Sequence, residues 1–291
     1  TAQGGVSDMQ EQLDFTRKFS LNQDRGDEIK AIIDGGELMN SSADDFVFPF
    51  YTTPGNQNPN YQLTVQYPDY YEYCFFANPT VLDPMKALDD PRIPIYFRAN
   101  ADGEYISLEA SEKGSVVTDK EISEKPSLCT EAVFQKNNLL RADYPDVICS
   151  YAETMFYVAE AYVRGLGVAK DLAQADAAYR KGIEASCVYN GVAAATAASF
   201  AAGVPSLSTL GGDDKALEAI ASQQRIEMMM RPLEAWSNQR RTGYPALEVP
   251  ASIRNFYPGI MHRWPYPERE GSVNDNVPHV DGVWTKMWFE N

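Results

Sequence analysis

The apolar positions of the chain change their rhythm near its middle. From Tyr151 onward they recur at helical spacing. Ala152, Met155, Phe156, Ala159 and Val163 stand at i, i+3, i+4, i+7 and i+11, one stripe along one helix. Gly165 and Gly167 end it. Leu172, Ala175, Tyr179, Gly182 and Ile183 form a second stripe that runs out before Asn190-Gly191. Two amphipathic helices joined by so short a turn pack as an antiparallel hairpin. The spacing of Ala175, Tyr179 and Gly182 echoes the second helix of a tetratricopeptide unit, where small residues let neighbouring helices approach closely. One clear copy is visible, too little to predict a repeat array. A third helix is predicted after Gly211-Gly212, with Asp213 as N-cap and Leu217, Ile220, Ala221, Gln224 and Met228 facing inward. Pro232 breaks that pattern and suits the first turn of a new helix, which holds Leu233, Trp236 and Arg240 and closes at Gly243.

Before Tyr151 the pattern is weaker. Asp27 to Ile33 carries Ile29, Ile32 and Ile33 on one helical face, and Gly35-Gly36 ends it. Residues 51–80 are rich in Pro, Asn and Tyr and have no helical period, so a long loop is expected, with a short strand around Leu63–Val65. Loops of this length inside a compact protein are uncommon and often functional. A short helix is expected over 81–89. Ile93–Arg98 and Tyr105–Leu108 read as strands flanking the turn Ala101-Asp102-Gly103, and 110–146 as mostly irregular. The tail 244–291 has many prolines and tryptophans and no clear period. The predicted class is therefore mainly α: tetratricopeptide-like helix pairs, a large irregular portion and a few short strands.

Charge narrows the partners. The formal net charge is −16, which argues against a nucleic-acid binder, whose affinity would rest on neutralising phosphates. No run of about 18 apolar residues occurs, so no membrane-spanning helix is expected. Cys74, Cys129, Cys149 and Cys187 include no C-x-x-C pair, and isolated buried thiols are the simplest expectation, with one disulfide the alternative. Two histidines, His262 and His279, and no Cys/His cluster leave no zinc site to predict. No cofactor motif is present: Arg164–Lys170 holds a lone G-x-G with no preceding strand, a turn rather than a dinucleotide loop. Nor does a nucleophile–base motif appear, so catalysis is not expected and a glycosidase is the minor alternative.

Two clusters remain. Seven of the fourteen arginines lie between Arg225 and Arg269, a window without lysine. Arg is preferred where a rigid fork must hold carboxylates or carbonyls inside a protein, so these are expected to clamp the irregular tail onto the last helices; an anion site is the alternative. The tyrosines point to ligand chemistry. Tyr51, Tyr61, Tyr67, Tyr70, Tyr71 and Tyr73 crowd beside Asn56, Asn58, Asn60 and Gln62. Aromatic faces stack on sugar rings while amides bind hydroxyls, and Tyr does so at small entropic cost. Tyr61, Tyr67 and Tyr70 are the candidate stacking residues, with Asn56 and Asn58 as hydrogen-bonding partners. Packing beneath the loop is the competing role for each ring.

Four stretches carry a family resemblance. "GGELMNSSADDFVFPF" (Gly35–Phe50), "VLDPMKALDDPRIPIYF" (Val81–Phe97) and "YPDVICSYAETMFYVAEAYVRG" (Tyr144–Gly165) occur in order, followed by "EAWSNQRRTGYPAL" (Glu234–Leu247) with "HRWPYPEREGSVNDNV" (His262–Val277). Together they resemble the SusD/RagB group of outer-membrane lipoproteins, closest to its SusD-like branch. The resemblance implies a single SusD-like domain over 1–291, the C-terminal three fifths of a typical member, with the N-terminal helical repeats and lipid anchor outside this chain. It also implies a non-enzymatic surface protein of Bacteroidetes-type bacteria. Such a protein captures oligosaccharide and pairs with a SusC-like TonB-dependent transporter, touching the membrane only through its lipid. The alternatives are a scaffold that docks the transporter without a sugar site of its own, or a peptide binder.

Overall fold

The computed structural model describes residues 26–36, 38–68, 74–109, 131–251, 253–278, 280–287 and 290. At its centre is helix α5, Tyr151–Arg164, paired with α6, Leu172–Tyr189. Helix α5 starts where Ser150 accepts a hydrogen bond from the Glu153 amide and ends at left-handed Gly165. All five residues of its predicted stripe are buried. So are Glu153, Thr154 and Glu160 on its other faces, because structure packs around the whole helix. Helix α6 starts at the Asp171 cap. Tyr179, Ile183 and Cys187 pack against Phe156 and Ala159 of α5.

Gly182 explains the close approach of this pair. A β-carbon there would lie 2.7 Å from Cε1 of Phe156, a fully buried ring. Gly182→Ala gains about 1 kcal/mol of helix propensity, yet the overlap with a ring that has no room to move costs about 1–3 kcal/mol. A lower melting temperature is therefore expected, and a higher one would contradict the packing.

Helix α7, Ala194–Gly203, and helix α8, Asp213–Glu227, complete this core through Ala197, Ala201, Ala216, Leu217 and Ile220. The cap of α8 is Gly212 rather than Asp213, which is the first helical residue. Helix α9, Pro232–Thr242, begins with Pro at its first position and ends at Gly243, φ 77°. Its buried residues are Ala235, Asn238 and Gln239, and Leu233 faces outward.

Helix α1, Gly26–Gly35, lays Ile29 against Tyr157 and Ala161 of α5. Its first residue meets the α5–α6 turn backbone to backbone: a β-carbon on Gly167 would fall 1.9 Å from the Gly26 carbonyl oxygen. A second core joins helix α3, Pro79–Ala87, to Tyr96, Phe97, Leu139 and Ile226. Two small antiparallel sheets flank it. Strand β1, Phe46–Phe48, pairs with β4, Asp146–Cys149, and β2, Phe97–Arg98, pairs with β3, Val133–Phe134.

Three expectations change. Leu63–Val65 lies in helix α2, Pro59–Gln66, not in a strand: Asn58 caps the Asn60 amide and Pro59 pre-sets the first turn, which outweighs the β-branched pair Thr64 and Val65. Ile93–Tyr96 is a helical turn, α4, with Pro94 in its first turn, so only Phe97–Arg98 is strand. Residues 105–108 form no strand; the partner of β2 comes from 133–134. The expected turn is present, closed by the Asn100 amide on the Glu104 carbonyl. Cys149 and Cys187 are buried free thiols, Cys74 is free but exposed, and Cys129 lies outside the described residues.

Candidate functional site

A cavity of about 170 Å³ opens where five segments meet: 42–50, 58–60, 144–152, 186–190 and 227–231. Capping chemistry builds its walls. Ser41 and Asp44 form a capping box that fixes the turn Ser42–Asp44. This aims the Asp45 carboxylate at the Tyr151 amide, 2.6 Å away, at the start of α5. Asn58 donates to the Tyr144 carbonyl at 2.8 Å and accepts from the Asn60 amide at 2.8 Å, tying the start of α2 to the chain before β4.

A buried ion network forms the floor. Arg231 donates to Glu153 at 2.7 Å and to Glu227 at 2.6 Å, with every side chain less than a tenth exposed. Ser150 donates to the other Glu227 oxygen at 2.7 Å, and Tyr157 to Glu153 at 3.0 Å. Burial raises the Glu227 carboxyl, a push that Arg231 opposes and Glu153 reinforces. The Arg231 guanidinium is held well above its usual range, because its two carboxylate partners outweigh its burial. Asp45 is pushed up to about 6 by burial, with Glu227 and Asp44 adding to the push and the Tyr151 amide and Arg231 opposing it. Burial likewise raises the Tyr144 and Tyr189 hydroxyls.

The structure divides the residues expected at the site. Asn58 lines the cavity, buried, with its carboxamide engaged at both ends. Asn56 is exposed, and its backbone closes a turn with Tyr51 and Thr53. Tyr61 is half-buried on α2, and Tyr67, at the end of that helix, is 56% exposed. Neither tyrosine lines the cavity. Tyr70 lies outside the described residues. The aromatic rings that do line it are Phe50, Tyr144 and Tyr189. No local pattern singles out Asp45, Tyr144, Tyr189, Glu227 or Arg231. The sequence reading that bears on them is the arginine-rich window, which contains Glu227 and Arg231.

Part of that window clamps as expected: Arg240 holds the tail, Arg231 and Arg241 join helices to one another, and Arg254 and Arg263 reach residues nearby in sequence. Arg240 stacks 3.9 Å from the Trp236 ring and donates to the His262 carbonyl, while Trp236 Nε1 donates to the Met261 carbonyl. Arg241 grips both oxygens of Glu160 on α5. Among the described residues no group of three or more His, Cys, Asp or Glu side chains is placed to hold a metal ion. No described helix is long and apolar enough to cross a membrane.

Paired helices supporting an irregular face, with a polar recess between them, define a helical scaffold of the tetratricopeptide-like class. The chain belongs to the SusD-like family: residues 20–267 match the family model described as starch-binding, associating with the outer membrane. Solved structures agree in fold. A SusD homologue from Bacteroides fragilis NCTC 9343 superposes with a TM-score of 0.74 at 23% identity, over 97% of this chain and 66% of that one. A SusD homologue from Bacteroides vulgatus ATCC 8482 gives 0.75 at 19% identity, over 96% and 61%. A protein named as chitin-binding gives 0.72 at 19% identity, over 98% and 65%. The chain thus spans less than two thirds of the length of each of these three neighbours. No curated protein matches it.

Proposed function

We propose that this chain is part of a cell-surface nutrient-binding protein that captures oligosaccharide and passes it to a SusC-like TonB-dependent transporter, held at the outer membrane by a lipid anchor outside this chain. The observation that carries the reading is the family match over residues 20–267, on a fold with the helix pair such proteins use. In this reading the chain is one portion of a single SusD-like domain, and it binds without turning its ligand over. The sugar chain lies along the segment from Asn56 to Tyr70, stacking on Tyr61, Tyr67 and Tyr70. Asn56 supplies hydrogen bonds, and Asn58 holds the segment to the cavity wall. Exposed Tyr51 and Tyr67 are compatible with such a shelf.

Affinity electrophoresis and calorimetry against starch, chito-oligosaccharides and plant polysaccharides test it. Binding to at least one is expected, and Tyr67→Ala with Tyr70→Ala should weaken it about tenfold, the worth of roughly 1–1.5 kcal/mol of ring stacking. Binding that survives both substitutions would move the site elsewhere. Failure with every glycan would favour the scaffold reading, for which Leu233, Phe256 and Trp264 are exposed apolar side chains available to a partner. Capture of a barrel transporter with no glycan bound would support that second reading.

A further inference from the structure

The cavity beside α2 has a chemistry of its own. Its volume of about 170 Å³ is below the roughly 300–1,000 Å³ of pockets that enclose a drug-sized ligand. It has room for one ring or head group, not for a chain of sugars.

Its charge is unbalanced. Asp45, Asp146 and Glu227 line it against the single cation Arg231. Arg231 is already divided between Glu227 and the buried Glu153 behind it, so that trio is itself net negative. Asp45 accepts one hydrogen bond, from the Tyr151 amide, and its second oxygen has no donor among the described residues. The same holds for two hydroxyls. Tyr144 is 8% exposed and lines the cavity, yet its hydroxyl has no partner among the described residues. Tyr189, on the rim, also lacks one. A hydroxyl on a ring as buried as Tyr144 ordinarily finds a partner, whereas Tyr189, 37% exposed, can reach water. The cavity is therefore short of positive charge and offers two unengaged hydroxyls, and a ligand carrying phosphate or carboxylate would meet like charge at Asp45, Asp146 and Glu227. The elevated Asp45 carboxyl reports the same deficit: burial and the neighbouring Glu227 and Asp44 outweigh the Tyr151 amide and the occupied Arg231.

We propose that this cavity is an end-group pocket for a protonated primary amine carried on a sugar ring, with Asp45 as its charge partner and the Tyr144 and Tyr189 hydroxyls bonding to the ring's oxygens. The ligand class is a glycan ending in an unacetylated amino sugar. This rests on the glycan-binding reading above and sharpens it. An ammonium is the strongest donor to offer a half-buried carboxylate, because a charge-assisted hydrogen bond is about twice as strong as a neutral one. The pocket also adjoins the tyrosine shelf. Asn58, Pro59 and Asn60 line it, and the helix they start carries Tyr61 and leads to Tyr67. Seven residues at 1.5 Å each place Tyr67 about 10 Å along the axis from Asn60. The terminal ring would sit in the cavity while the following rings pass over α2.

Calorimetry with glucosamine trimer, N-acetylglucosamine trimer and maltotriose at physiological salt tests this, on the wild-type chain, Asp45→Asn and Tyr189→Phe. The amine trimer is expected to bind at least tenfold more tightly than its acetylated counterpart. Asp45→Asn should bring that ratio close to one, and Tyr189→Phe should weaken the amine trimer severalfold, with melting curves confirming that both variants fold. Equal affinity for the three trimers would overturn the amine pocket and leave glycan binding standing. A preference that survives Asp45→Asn would also overturn it, since it would then come from the chain's overall negative charge. Binding of trilysine as tightly as the amine trimer would refute the amino-sugar class. No binding of any trimer or polysaccharide would bring down both readings together.

Discussion

Replacing Arg92 with Met should lower stability by about 3–5 kcal/mol, the usual cost of leaving a buried charge without its partner. Arg92 is fully buried. Its Nε lies 2.9 Å from Asp90 Oδ1, and Nη2 lies 2.5 Å from Oδ2. The remaining donors tie in two distant helices: Nη1 to Ser186 on α6 at 2.8 Å, and Nη2 to Gln223 on α8 at 2.7 Å. One side chain thus joins the D-P-R turn after α3 to both core helices. Met has similar length and fills the space, so the loss would come from three stranded polar groups, above all the carboxylate of Asp90, which is 2% exposed. The double variant Asp90→Asn, Arg92→Met should recover much of the loss, because removing both charges also removes the stranded one. Urea unfolding measures both. A loss below about 1 kcal/mol for the single variant would show that the pair is solvated after all.

Arg241→Ala should cost somewhat less, about 2–4 kcal/mol, because its partner keeps a second cation. Arg241 binds Glu160 at 2.6 and 2.8 Å and Asn238 at 2.6 Å, and Glu160 also accepts from Arg164 at 2.7 Å. Burial alone would raise the Glu160 carboxyl, but the two guanidinium groups outweigh it and hold the pKa below its ordinary 4.5. A depressed carboxylate adds stability that is fully present above its unfolded pKa and is lost as pH falls through the folded one. The gap between wild type and Arg241→Ala should therefore be widest near neutrality and narrow below about pH 4.5. A gap independent of pH would assign the effect to lost packing instead.

Arg241 also shows what the sequence could say. The helical phase from Pro232, the stop at Gly243 and the lysine-free arginine window all foretold an internal clamp, and the R-R-T-G stretch helped to mark the family. Helices α5 and α6 were legible because a buried face repeats every three or four residues. Helix α2 was not. Its eight residues are too few to show a period, and the decisive signal was the Asn58-Pro59 cap rather than anything in Leu63–Val65. Strand β2 was misassigned a partner because pairing with Val133–Phe134 is fixed by tertiary packing, which local pattern does not contain. The cavity was harder still. The tyrosine-rich segment stood out because its composition is local. Asp45, Glu153 and Glu227 were three among 41 acidic residues until folding brought them round one arginine.

The meeting of Gly26 with Gly167 sets an unequal tolerance for change along the chain. No side chain lies between the two backbones, so nothing there can relax by choosing another rotamer. Even one methyl group at Gly167 would act as a wedge and lift helix α1 from its seat on Tyr157 and Ala161. The α5–α6 pair would keep its own contacts. Variants at this joint would therefore separate the docking of a helix from the folding of the core that receives it. Any engineered graft onto α1 inherits the condition that Gly167 stays, while a β-carbon at Gly26 would meet the Gly167 amide nitrogen at 3.0 Å, a tight contact.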